Sequence, residues 1–274
     1  MSTCGCSQRQ RMPLSELEEK ATAIRRLIVE AFVKAGHGHY GGCLSEVEIL
    51  TALYFRVMNV RPKEPRWPDR DRFVLSKGHG AVGLCATLAY AGFFPTEMVY
   101  TYDTYASRIG LHPDMHKVPG VDMSTGSLGL GTGAACGMAI AGKVDRKPWK
   151  VYTLLGDGEC DEGIVWEAAM FAHHHKLDNL VAIIDRNMLS MDGPTEEIMS
   201  LEPLPDKWRA FGWAVRVVDG HDIGELVDAL ESTPFENGRP SAIIARTVKG
   251  KGISFMEGKF NFHRAVLTAE QSEQ

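Results

Sequence analysis

A chain of 274 residues, 44% hydrophobic and 24% charged, has enough apolar side chains to bury a sizeable core and is not a disordered or fibrous sequence. Its net charge of −5, with Lys and Arg scattered rather than massed, offers no cationic field for nucleic acid. No Lys/Arg start followed by an apolar run opens the chain, and the most apolar stretch, residues 127–142, is too rich in Gly and Ala for a membrane span, so we expect a cytoplasmic protein with neither a membrane nor a nucleic-acid partner.

Residues 1–12 read as a flexible tail in which Cys4 and Cys6 lack the neighbouring ligands that a soft metal needs, and residues 13–274 as one domain. Leu17, Ala21, Ile24, Leu27, Ile28, Ala31 and Phe32 fall at helical spacing within residues 14–35, and Ser45 reads as the N-cap of a following helix. Residues 73–76 form a short apolar run consistent with a buried strand, Gly78 to Gly80 a turn, the stretch through Ala91 a small-residue helix, and residues 95–119 a long loop region. From Val151 the pattern alternates: strand 151–155, helix 164–174, strand 180–185, strand 214–218, helix 224–230, strand 241–247. Continuous apolar strand runs mean strands covered on both faces, which predicts an α/β fold: a doubly wound, mostly parallel sheet with helices on both faces. Ligands of such sheets sit beyond the carboxyl ends of the strands. Six cysteines are too few for a disulfide scaffold, and Cys43, Cys85, Cys136 and Cys160 read as reduced, buried thiols.

The connection after the strand ending at Leu155 is Gly156-Asp157-Gly158-Glu159. Glycines there let backbone N–H groups approach a phosphate, and Asp157 offers a carboxylate to the cation that bridges phosphate oxygens. Gly158 and Asn187 are separated by 28 residues, room for one crossover helix and one parallel strand, which would set Asp157 and Asn187 on adjacent loops. Two oxygen ligands beside a phosphate cradle suit a magnesium diphosphate; two unrelated strand-end turns would look the same by spacing alone.

Gly-Asp-Gly, about thirty residues and then Asn resembles the thiamine diphosphate motif, and the sequence around it is similar to transketolases over nearly the whole chain. The resemblance implies the diphosphate-binding (PP-type) domain of the thiamine diphosphate fold, with Mg²⁺ (Ca²⁺ or Mn²⁺ as substitutes) held by Asp157, Asn187 and the main-chain carbonyl of Leu189, and Gly156, Gly158 and Glu159 at the diphosphate. His39 in Gly38-His-Tyr-Gly-Gly, His79 in Ser76-Lys-Gly-His-Gly and His112 in Gly110-Leu-His-Pro each resemble a transketolase active-site segment. By that resemblance His79 faces the diphosphate, while His39 and His112 face the sugar hydroxyls and the reacting carbon. His263, after the family-like Gly250-Lys-Gly, is implied at both diphosphate and substrate, although Arg264 stands where the family usually has Gly and residues 259–262 depart from its pattern. Gly126, Ser127 and Leu128 resemble the segment whose backbone meets the aminopyrimidine, with Ser127 replacing a common Pro. Glu162 and Glu167 match acidic positions that link paired active sites across the subunit interface, and without the resemblance they are helix-surface carboxylates. Lys249 and Lys251 also read as solvated charges, and His37 as either a pocket group or a helix end. His173, His174 and His175 cannot converge on one ion, because successive helical residues point about 100° apart.

Transketolases carry a pyrimidine domain, with the Glu that activates the cofactor, after the region matched here, whereas this chain ends at Gln274. The resemblance therefore implies the N-terminal subunit of a split transketolase. It would transfer a two-carbon ketol unit from a ketose or ketose phosphate to an aldose, with a C-terminal partner subunit in an α2β2 assembly. Other thiamine diphosphate enzymes of deoxyxylulose phosphate synthase or 2-oxo acid dehydrogenase type, and a non-catalytic regulatory subunit, are the alternatives.

Overall fold

The computed structural model describes residues 12–274. The expected tail, with Cys4 and Cys6, lies outside them except for Met12, which packs at the core edge and whose carbonyl accepts from Arg56 Nη1 at 3.2 Å. The chain runs through α1 (Leu14–Ala35), α2 (Tyr40–Ser45), α3 (Val47–Ala52, continued by a π-helical turn), β1 (Arg72–Leu75), α4 (Ala81–Tyr90) and α5 (Leu130–Val144). There follow β2 (Val151–Gly156), α6 (Gly163–His174), β3 (Leu180–Arg186), α7 (Thr195–Ile198), α8 (Leu204–Ala210), β4 (Ala214–Asp219), α9 (Ile223–Glu231), β5 (Ser241–Arg246) and α10 (Ala269–Glu273).

Among the described residues five strands form one parallel sheet, in the order β1-β2-β3-β5-β4. Because successive strand residues point to opposite faces, the apolar runs split between two cores. Tyr152, Leu154, Val181, Ile183 and Ile243 face the core of α1, α3, α4 and α9, while Val151, Leu155, Ala182, Ile184 and Ala242 face that of α5, α6 and α8. This is the doubly wound α/β fold expected from the alternation. Each fully buried Leu or Ile contributes about 1.5–3 kcal/mol. Helix α1 buries all seven of its predicted apolar positions and ends at Gly36 in the left-handed conformation (φ +80°), which glycine reaches at least cost. Cys43, Cys85, Cys136 and Cys160 are buried free thiols.

Two expectations differ from the structure. Strand β4 is not covered on both faces: Val217 is 37% exposed and Arg216 reaches Ser232, because β4 lies at the sheet edge, paired with β5 alone among the described residues. Ser45 does not cap a helix; it is the last residue of α2, and its hydroxyl donates to Asp185 Oδ2 at 2.6 Å inside the core. Burial offered that hydroxyl a charged acceptor stronger than a helix terminus.

Candidate active site

Parallel strands deliver their carboxyl ends to one side of the sheet, and the segments after β1, β2, β3 and β5 there line a cavity of about 400 Å³. The β2–β3 register sets Gly156 opposite Asp185, so Asp157 lies beside the exit of β3. Asp157 is 2% exposed; Oδ1 accepts from Gly158 N at 2.9 Å, and Oδ2 from Met188 N at 2.6 Å and Arg186 Nη1 at 3.3 Å. Burial, reinforced by the Asp185 charge, pushes its carboxyl up to about 6 despite the neighbouring Arg186. A buried carboxylate that its own donors do not fully compensate favours a further cation.

Asn187 and Leu189 follow β3 on the same wall. The Asn187 side-chain oxygen accepts from Leu189 N at 3.1 Å, and the carbonyl of Leu189, with that of Ser190, accepts from Lys249 Nζ at 2.7 and 2.8 Å. Lys249 is 2% exposed, and burial lowers its ammonium to about 8. It is therefore no solvated charge but a cation resting on backbone carbonyls in the cavity wall. Lys251, with its ammonium 3.6 Å from Glu257 and 38% exposed, is the surface charge expected. Among the described residues no group of three His, Cys, Asp or Glu side chains could hold a metal ion; the set that the resemblance implies is Asp157, the Asn187 amide oxygen and the Leu189 carbonyl, all three from residues that line this cavity. That all-oxygen set suits Mg²⁺.

Beneath this wall lies a buried ionic cluster. Lys77 Nζ contacts Asp185 Oδ2 at 2.6 Å, Glu46 Oε2 at 2.8 Å and the Gly42 carbonyl at 2.8 Å, and all three side chains are almost fully buried. Burial would lower Lys77, but Asp185 and Glu46 hold it above the ordinary lysine range. Burial works against the Asp185 carboxylate too, yet Lys77 and the hydroxyls of Ser45 and Thr247 keep it low, while burial pushes Glu46 up to about 8. Glu159 serves position: its two oxygens accept from the Ser76 hydroxyl, from Gly129 N at 2.7 Å and from Gly156 N at 3.0 Å, tying together three loops of the site. Gly78 has to lack a side chain, since a Cβ would fall 2.9 Å from the backbone of Thr125 and Gly126.

The histidines cluster beside these groups, since a Cβ on Gly42 would fall 3.2 Å from His79 Nε2 and 3.7 Å from Lys77 Nζ. The ring of His79 lies 4.9 Å from that of His263 and 5.8 Å from that of His39, and the His39 and His263 rings are 5.9 Å apart. A two-bond antiparallel bridge between Gly38 and Ala265 holds the segments of His39 and His263 together. Burial, with the Arg264 charge next, lowers His39 to about 4; burial and Lys249 lower His263 to about 3; burial and Lys77 hold His79 well below the imidazole range. All three are neutral at pH 7, and His263 Nδ1 is buried without a hydrogen-bond partner among the described residues. Neutral imidazoles side by side can take up protons from hydroxyls that enter the cavity.

The structure thus gathers His39, His79, His263, Gly126, Leu128, Gly156, Asp157, Gly158, Glu159, Asn187 and Leu189 at one cavity or its mouth. His112 is exposed at the rim, its ring 3.5 Å from where a Gly126 Cβ would stand. Ser127 is exposed and does not line the cavity. Glu162 and Glu167 are exposed on and before α6. Sequence reading missed Lys77, Glu46, Asp185 and the role of Lys249; Lys77 flanks the Gly-His-Gly turn and Asp185 ends an apolar strand, so a charge placed where burial is certain was the available signal.

The family described as "Transketolase, thiamine diphosphate binding domain" matches residues 17–274. The 6-deoxy-6-sulfo-D-fructose transketolase subunit of Clostridium sp. (strain MSTE9) is 51% identical over 255 residues, 93% of each chain. An apulose-4-phosphate transketolase subunit from Actinobacillus succinogenes is 49% identical over 260 residues, 94% of each. The crystal structure of transketolase from Campylobacter jejuni superimposes with a TM-score of 0.88 at 34% identity, over 95% of this chain and 42% of that one.

Proposed function

The chain belongs to the transketolase family, and we propose that it holds the diphosphate end of thiamine diphosphate in a ketol-transferring enzyme completed by a second subunit. The observation that carries this reading is the convergence of a buried, cation-seeking Asp157 and three neutral histidines on one strand-end cavity. When bound, thiamine diphosphate supplies the electron sink for breaking and making a carbon–carbon bond. Asp157, Asn187 and the Leu189 carbonyl would hold Mg²⁺, with Ca²⁺ or Mn²⁺ able to substitute on the same oxygens. Gly156 and Gly158 leave room for backbone N–H groups to approach phosphate oxygens, and Lys249 and His79 add polar groups to that wall. His39 and His263 would take up the protons of substrate hydroxyls as neutral imidazoles and return them as imidazolium, with His112 at the rim.

The relatives named as subunits support a partner for this chain. We assign to that partner the pyrimidine domain and the activating Glu, in an α2β2 assembly located in the cytoplasm. The sugars named for the two subunit relatives carry a sulfo and a phosphate group, which supports an anionic sugar here. The chain alone and the chain co-purified with its partner, each with thiamine diphosphate and Mg²⁺, should differ completely: two-carbon transfer from a ketose phosphate is expected of the complex and not of the single chain. Comparable turnover by the single chain would overturn the split.

A further inference from the structure

Arg264 has no place in the site as described. It directly follows His263, is exposed, and among the described residues makes no hydrogen bond or ion pair. The Gly38–Ala265 antiparallel bridge, two backbone hydrogen bonds of 3.1 and 3.0 Å, sets the backbone of Arg264 beside that of His39, one residue after the cavity-lining His263. Its field reaches His39, which it lowers, and Tyr102. Asp103, whose field also reaches Tyr102, is already taken by His37 Nε2 at 3.0 Å, and Asp103 holds that position at a φ of +51°. A guanidinium without a counter-charge beside a histidine that has to accept protons makes that histidine less basic, and a bound anion would cancel the effect.

Resting on the ketol-transfer reading above, we infer that Arg264 is a specificity-determining residue on this chain that binds the anionic substituent of the sugar, a phosphate or a sulfonate, at the cavity mouth. The planar fork of the guanidinium matches the paired oxygens of either group, and its exposure leaves it free to pair with an incoming ligand without first breaking an internal bond. The neighbouring His39 and His263 then meet the hydroxyl end of the same molecule.

The test uses the assembled two-subunit holoenzyme and two probes, D-fructose 6-phosphate and D-fructose, with affinity read by calorimetry and turnover read separately. The wild type should bind the phosphorylated sugar more tightly. Arg264→Gln should reduce the ratio of the two affinities about tenfold, and Arg264→Lys should restore part of it. An unchanged ratio, an equal loss for both sugars, or a wild type that does not prefer the phosphorylated probe would each overturn the assignment. A preference that depends on Arg264 in a complex that transfers no ketol unit would sustain it while removing the proposed activity; ketol transfer with an unchanged ratio in Arg264→Gln would do the reverse.

Discussion

Two side-chain clusters at the cavity handle burial in opposite ways. In one, Lys77, Glu46 and Asp185 are nearly inaccessible; Lys77 and Asp185 keep their charges through a 2.6 Å contact, and Glu46, which burial pushes up to about 8, lies 2.8 Å from the same ammonium. In the other, His39, His79 and His263 have no carboxylate partner among the described residues and lose their charge instead. A lysine held 2.6 Å from a carboxylate gains more by pairing than by deprotonating, whereas an imidazole needs only a small push to become neutral. One cluster therefore supplies fixed charge and the other supplies proton acceptors, and the same dry environment produces both.

The largest effect should come from breaking the paired cluster. Lys77→Met leaves Glu46 and Asp185 buried without their cation, and urea unfolding should report a loss of about 3–5 kcal/mol. A loss below about 1 kcal/mol would mean that water or a rotamer change readily replaces the lysine.

Next in size is the cation-seeking carboxylate. In the assembled complex, Asp157→Ala should weaken thiamine diphosphate binding about a hundredfold in the presence of Mg²⁺, and removing the metal with a chelator should do the same to the wild type but add little to the variant. If the chelator weakens the variant as much as the wild type, Asp157 does not hold the metal.

The smallest effect concerns the neutral cluster. The folded His39 sits at about 4, below its ordinary value of 6.5, so above pH 6.5 it is neutral in both folded and unfolded chains and adds no pH dependence. As the pH falls from 6.5 towards 4 the unfolded chain takes up the proton first, and stability drops. His39→Asn should therefore flatten part of the acid slope of unfolding free energy in that window and leave the slope above pH 7 unchanged. A slope identical to that of the wild type would place His39 in a solvated, ordinary environment.

Much of this was legible beforehand. Apolar runs of five or six residues separated by helical spacing announced the parallel sheet, and Gly156-Asp157-Gly158 with Asn187 announced a site at its strand ends. What stayed hidden were residues whose meaning depends on burial. Lys249 and Lys251 flank one glycine and look alike in sequence, yet one lies on two carbonyls in the cavity wall and the other is a surface charge. Ser45 looked like a cap, and Glu159 like a phosphate-loop residue rather than the tie between three loops.

Hydrophobic periodicity and short motifs are local, and by themselves they determined the α/β class and the Asp157–Asn187 pair, because backbone geometry and spacing carry that information along the chain. Only the tertiary structure decided which charges are paired, which imidazoles are neutral, and that Arg264 is left unpaired beside His39. Those properties depend on desolvation and on neighbours more than a hundred residues away, as with Lys77 and Asp185, and no window of sequence contains both partners.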